Sequence, residues 1–183
     1  MQKKLFTLLI LSAFSTNYIN SEVMEEVIVQ ASLLGQTEDG ISDPLHVLDG
    51  AEIADMATTS LGETLDSLAG VTTADYGSAV GQPILRGLSG LRVKVLTNGL
   101  VNRDVAGIGA DHKNEVDLFD IQQVEVVRGP SSLLYANGAS GGIVNLVDNS
   151  IATSDVEEMS FKLGFETQSV NSGDSQNFAY SDN

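Results

Sequence analysis

The stretch from Ile121 to Asn145 does most to limit what this chain can become. Valines at 124, 126 and 127 surround Glu125, a β-branched run that reads as a strand with at most one polar face. Gly129-Pro130 stops that strand. Pro130 presets one helical turn over Ser131 to Leu134, after which Asn137-Gly138 and Gly141-Gly142 require a flexible or positive-φ backbone. Ile143 to Val147 resumes an extended run. Strand, corner, short helix, glycine-rich return and strand make a compact device with almost no catalytic chemistry, so it acts through its shape.

Around that device, 183 residues leave room for about one domain with a real core. Acids outnumber bases 25 to 9, and the net charge of −16 argues against nucleic acid as a partner. There are no cysteines, which excludes disulfides and thiolate metal sites. At the start, Lys3 and Lys4 precede an apolar run from Leu5 to Phe14 and then small and polar residues, the layout of a secretory signal peptide over residues 1–21. The run is too short to span a bilayer, which takes about 20 apolar residues.

Glu26-Val27-Ile28-Val29-Gln30-Ala31 is a short β-prone segment, cut off by a polar, flexible stretch through Gly40. It suits either addition to a partner's sheet edge or an edge strand of its own fold. Leu45 to Leu48 reads as a short strand, with Asp49 capping a weak turn through Ile53 and Met56. Ser60 stands three residues before Glu63, a capping box for a helix carrying Leu61, Leu65 and Leu68 on one face, ended by Gly70. Pro83 to Gly87 reads as a strand. Leu91 to Leu96 alternates, with Arg92 and Lys94 on one face and Val93 and Val95 on the other, and leads to the hairpin turn Asn98-Gly99. Beyond Asp148, Met159, Phe161, Leu163 and Phe165 alternate with polar or small residues, and a second extended segment runs from Ser175 to Tyr180. Such a hairpin has the period of a transmembrane barrel strand pair.

Candidate chemistry is sparse. Gly138-Ala139-Ser140-Gly141-Gly142 matches a nucleophile elbow, but that arrangement needs a downstream histidine, and His46 and His112 both lie upstream. No Walker lysine or dinucleotide fingerprint appears. The chain is therefore not expected to be an enzyme, nor to hold a cofactor. Asp111 and His112, with Glu115 or Asp117 close by, offer mixed oxygen and nitrogen ligands for a metal. Six of the seven bases beyond the leader, among them Arg86 and Arg128, fall between residues 86 and 128. In so acidic a chain that concentration reads either as defined pairing with carboxylates or as ordinary surface ion pairs.

Taken in order, these segments resemble the plug domain of TonB-dependent outer-membrane receptors of Gram-negative bacteria. The resemblance rests on residues 26–31 as a TonB box, Leu61-Gly62-Glu63-Thr64-Leu65 with Gly70-Val71, Gln82 to Gly87, Val93 through Asn98-Gly99, Val124 to Pro130 with Leu134-Tyr135, and Gly141 to Asn145. Ala69 stands where the family often has proline, and Leu85 where isoleucine or valine is usual. The resemblance implies an α+β fold: a mixed-sheet plug with short helices over 41–150, after a TonB box and linker over 22–40. Residues 151–183 would begin an incomplete transmembrane barrel, since a full one of about 22 strands does not fit, and the chain reads as a receptor truncated after its first barrel hairpin. It further implies energy-driven nutrient import and a TonB C-terminal domain as the partner of Glu26, Val27, Ile28, Val29, Gln30 and Ala31. Arg86, Arg128 and Glu125 become plug–barrel ion-pair residues. Asp111-His112-Lys113 is similar to the subgroup linked to zinc or other metals, with Asp111 and His112 as contacts to a transported ion. The alternative reading is a free periplasmic module binding a metal or small ligand.

Overall fold

The computed structural model describes residues 45–56, 58, 60–77, 80–150, 159–169 and 172–182. The leader, the TonB-box segment and its tether lie outside the described residues.

Strand β1 (Leu45–Asp49) runs into helix α1 (Gly50–Met56), whose start is capped by Asp49 Oδ1 accepting from Glu52 N at 2.7 Å. Helix α2 (Leu61–Leu65) is capped as expected, Ser60 Oγ accepting from Glu63 N at 3.3 Å. It is shorter than its leucine spacing suggests. Asp66 turns aside to accept the Thr73 amide at 3.1 Å, and tighter turns carry Leu68 to the core without continuing the helix. The hairpin of β2 (Val71–Asp75) and β3 (Gly81–Leu85) follows, then β4 (Val93–Thr97), β5 (Leu100–Val101) and β6 (Ile121–Val127). Helix α3 (Ser132–Tyr135), β7 (Gly142–Asp148), β8 (Ser160–Gln168) and β9 (Gly173–Ser181) complete the order.

Two details depart from the sequence pattern. Leu91 and Arg92 belong to a 3₁₀ turn, Gly90–Arg92, so Arg92 does not share a strand face with Lys94. Arg86 leaves the strand and takes a left-handed φ of 51°, forming the turn with Gly87.

One five-stranded sheet, ordered β1-β6-β7-β4-β5, holds the fold together. β6 lies antiparallel to both β1 and β7, while β4 runs parallel to β7 with Val95 opposite Val144. The two strands of the 121–145 device are therefore neighbours inside the sheet, where both faces are covered. Val124, Val126, Val144 and Leu146 point to one face and meet Ile53, Leu61, Leu65, Val71 and Leu85. Val127 and Ile143 point to the other and meet Leu96, Ala136 and Ala139 below α3. Each fully buried valine or leucine contributes about 1.5–3 kcal/mol, so this double-sided packing dominates the stability of the unit.

The Gly-Pro corner is stitched by Ser132, whose buried hydroxyl donates to Gly129 O at 2.7 Å and also reaches Ala139 O. At Gly142 the backbone has φ +142°, and a Cβ there would come within 2.8 Å of Val127 O, so both conformation and space require glycine. The Asn98-Gly99 turn has positive φ at both residues, as a type I′ turn requires. It does more than join β4 to a two-residue β5. Asn98 N donates to Leu146 O at 2.8 Å, Asn98 Nδ2 donates to Asp148 Oδ1 at 2.6 Å, and Asp148 N donates back to Asn98 Oδ1 at 3.1 Å.

β8 and β9 form a separate antiparallel hairpin with Phe161 opposite Tyr180 and Leu163 opposite Phe178. Phe161, Leu163, Phe165, Phe178 and Tyr180 are all more than half exposed. Phe161 and Phe178 meet edge to face at 4.9 Å.

Candidate functional site

Arg128 sits where β6 ends, between Val127 and the Gly-Pro corner. Its guanidinium donates through Nη1 to Ala69 O and lies through Nη2 against His46 Nε2. Arginine has no acceptor, so His46 Nε2 is the acceptor in this contact. Arg128 Nε is buried and meets no acceptor among the described residues. Burial first, and then the positive charge of nearby Arg86, hold the guanidinium below its ordinary pKa. Arg86 itself is exposed in its left-handed turn, its amide donating to Gly70 O at 3.2 Å. Two like charges thus face one another, and among the described residues neither forms an ion pair with a carboxylate.

Glu125, grouped with these arginines on sequence, has a different setting. It is fully buried on β6, with Oε1 accepting from Gln123 Nε2 at 2.6 Å and Oε2 accepting from Asn145 Nδ2 at 2.9 Å. Asn145 is also fully buried and accepts the Gly99 amide at 2.9 Å. A polar line therefore crosses the sheet interior from Gln123 through Glu125 and Asn145 to the β4–β5 turn. A buried carboxylate costs several kcal/mol unless donors surround it, and here neutral amides supply them.

Asp111 and His112 occupy the long loop between β5 and β6. Asp111 Oδ1 and His112 Nδ1 are 2.9 Å apart, both side chains being substantially exposed. The hydrogen bond from His112, helped by Asp111's own amide and by imidazolium charge, lowers the Asp111 pKa below the usual 3.8. With Nδ1 held against Asp111, Nε2 is the ring nitrogen through which His112 could meet a further group. The sequence also put Glu115 and Asp117 within reach. The structure does not gather them: Asp117 Oδ1 caps the Phe119 amide at 2.9 Å, and no three acidic, histidine or cysteine side chains cluster around a common point among the described residues.

Sequence reasoning did not single out the residue that shapes this loop. Gln82, buried on β3, directs Nε2 at three carbonyls, those of Ala106 at 2.9 Å, Gly109 at 2.7 Å and His112 at 2.7 Å. Asp104 Oδ2 adds the Glu115 amide at 3.2 Å. Beside the loop lies a cleft of about 460 Å³ bordered by Gln82, Lys94, Asn102, Arg103, Asp104 and Asn114. Asn114 Oδ1 is buried without a hydrogen-bond partner among the described residues. The only trace of Gln82's role in the sequence is a long amide placed between Gly81 and Pro83 in a strand that is otherwise apolar or small.

With this geometry in view, the likeness to known proteins can be placed. Residues 38–143 match the family model described as the TonB-dependent Receptor Plug Domain. The chain is 29% identical over 152 residues to the vitamin B12 transporter BtuB of Vibrio vulnificus, covering 80% of this chain and 25% of that protein. It therefore spans about a quarter of the length of that curated relative. Among solved structures, the siderophore receptor PirA from Acinetobacter baumannii superimposes with a TM-score of 0.60 at 17% identity, over 84% of this chain and 23% of that one. The ferric enterobactin receptor PfeA of Pseudomonas aeruginosa does so with a TM-score of 0.57 at 20% identity, over 74% of this chain and 22% of that one. At these identities the two structures speak for the fold alone.

Proposed function

The chain belongs to the TonB-dependent receptor plug family, and from that membership we propose that it is the plug and TonB-interacting part of an outer-membrane receptor importing a scarce nutrient. The family is one of transporters and receptors, not enzymes. The observation that carries the reading is the joining, in one chain, of a mixed sheet of plug type to a hairpin whose one face presents five large apolar side chains to the outside. A contiguous aromatic face of this kind needs an apolar environment, and the acyl region of a membrane supplies one.

Three expectations from the sequence fit this frame. Val27 to Val29 would add as a strand to the TonB C-terminal domain, and a pull on that segment reaches the sheet through β1, its edge strand. Arg86 and Arg128 would each take a carboxylate from the wall, which relieves their mutual repulsion and gives Arg128 Nε an acceptor. Glu125 would serve the same interface indirectly, by holding β6 and β7 together from within. The transported ligand is a metal ion such as zinc, or its chelate, with His112 Nε2 as one donor and the wall supplying others. Calorimetry of a peptide of residues 22–34 against a TonB C-terminal domain tests the reading. Binding comparable to that of an established box peptide is expected, and silence under conditions where that control binds would refute it.

A further inference from the structure

Phe119 lies two residues before β6 and outside the sheet, in the segment that faces the β8–β9 hairpin. Lys162, Gly164 and Glu166 form the other row of β8, opposite in direction to Phe161, Leu163 and Phe165, and only Gly164 of the three is partly covered. The Phe119 ring rests on that row at its one bare position. A Cβ at Gly164 would overlap the ring, meeting Cδ2 at 2.9 Å, and the adjoining ring carbons stand closer still or at 3.2 Å. Glycine inside a strand weakens it and marks places where another group approaches the backbone closely. Lys162 holds the same residue twice, with its ammonium 4.7 Å from the ring centroid and donating to the Phe119 carbonyl. The Phe119 amide is in turn bonded to Asp117 Oδ1. Ring, carbonyl and amide of one residue are all engaged. A cleft of about 470 Å³ opens alongside, bordered by Ile53, Val116, Leu118, Phe165 and Asn177, so the contact is a discrete seat rather than part of a continuous packed interface.

We propose that Phe119 is the registration point between plug and wall: its ring is a knob, Gly164 is the notch that receives it, and Lys162 closes the notch from the side. The inference rests on reading β8–β9 as wall. It makes the seat selective for a flat ring opposite an absent side chain, and it ties the wall to an interior strand of the plug sheet, because β6 begins at Ile121.

The chain has no cysteine, so an introduced pair is unique. Phe119→Cys with Gly164→Cys, in the full chain folded in detergent, should be joined by a short bifunctional thiol reagent about tenfold faster than Phe119→Cys with Leu163→Cys, because proximity sets the effective concentration. Equal rates overturn the proposal. In the unsubstituted chain, the Gly164 α protons should show a ring-current shift and a nuclear Overhauser contact to the Phe119 ring. Their absence overturns it however the cysteine variants fold. A chain that links 119 to 164 yet ignores the TonB domain leaves the seat standing and removes the TonB-interacting role. A chain that binds TonB without the link does the reverse.

Discussion

Asn145 is where the plug sheet is most exposed to a single change. Replacing it with leucine keeps the branching and the number of side-chain heavy atoms and removes two hydrogen bonds, one donated to the Glu125 carboxylate at 2.9 Å and one accepted from the Gly99 amide at 2.9 Å. A hydrogen bond to a charged group contributes about 1.5–3 kcal/mol and a neutral one about 0.5–1.5 kcal/mol. Glu125 stays fully buried and loses one of its amide donors, so the cost should fall near the top of that combined range, about 3–4 kcal/mol. Against a typical total of about 5–15 kcal/mol this is a large fraction. Glu125→Gln keeps an oxygen for one amide donor, and about 1–2 kcal/mol is expected there. Joint replacement, Glu125→Leu with Asn145→Leu, removes both buried polar groups and should cost less than the two single leucine changes added together. Urea unfolding followed by circular dichroism gives all three terms of the cycle. An Asn145→Leu chain within about 1 kcal/mol of the parent, or a strictly additive double variant, would refute the account of the buried polar line.

Asp148 should contribute a pH-dependent term. Burial raises its pKa, but the hydrogen bonds from Ser150 and Asn98 together outweigh that and leave it below the usual 3.8. The carboxylate therefore stabilises the fold above the unfolded-state value, and that stabilisation is lost as pH falls through the lower folded value. Asp148→Asn should flatten the acid limb of a stability–pH curve, and an unchanged limb would count against it. Zinc titration of the full chain should give one weak site that disappears in His112→Ala. In Asp111→Asn it should weaken by about tenfold, the scale of losing an orienting partner. Unchanged affinity in the histidine variant would remove the site.

Most of the sheet was legible because its signals are local. The valines of β6, the Asn98-Gly99 turn, the Ser60 cap and the alternation of β8 each obey a rule spanning a few residues. What could not be read depends on pairing across long separations. Glu125 looks like the polar face of a half-exposed strand until β1 and β7 enclose it. Gln82 finds its carbonyls up to 30 residues away, and Arg128 meets His46 across 82. The end of α2 at Leu65 depends on Asp66 choosing a strand amide over a helical role, which no leucine spacing reveals. Asp111 and His112 stood out as candidates because they are adjacent in the sequence, whereas the 2.9 Å contact between their side chains needed the fold.

The order of strands also sets a timetable. β1 waits for β6, and β4 waits for β7, so both find their principal neighbour only among residues 121–148. The Asn98 side chain waits across 50 residues for Asp148. A chain emerging from its N-terminus would therefore have to carry its first hundred or so residues past the point of synthesis before this sheet can close, and non-local closure of this kind is slow. Late closure keeps a polypeptide threadable. If the chain is exported before it folds, as the proposed outer-membrane role would require, this topology is what keeps it extended long enough.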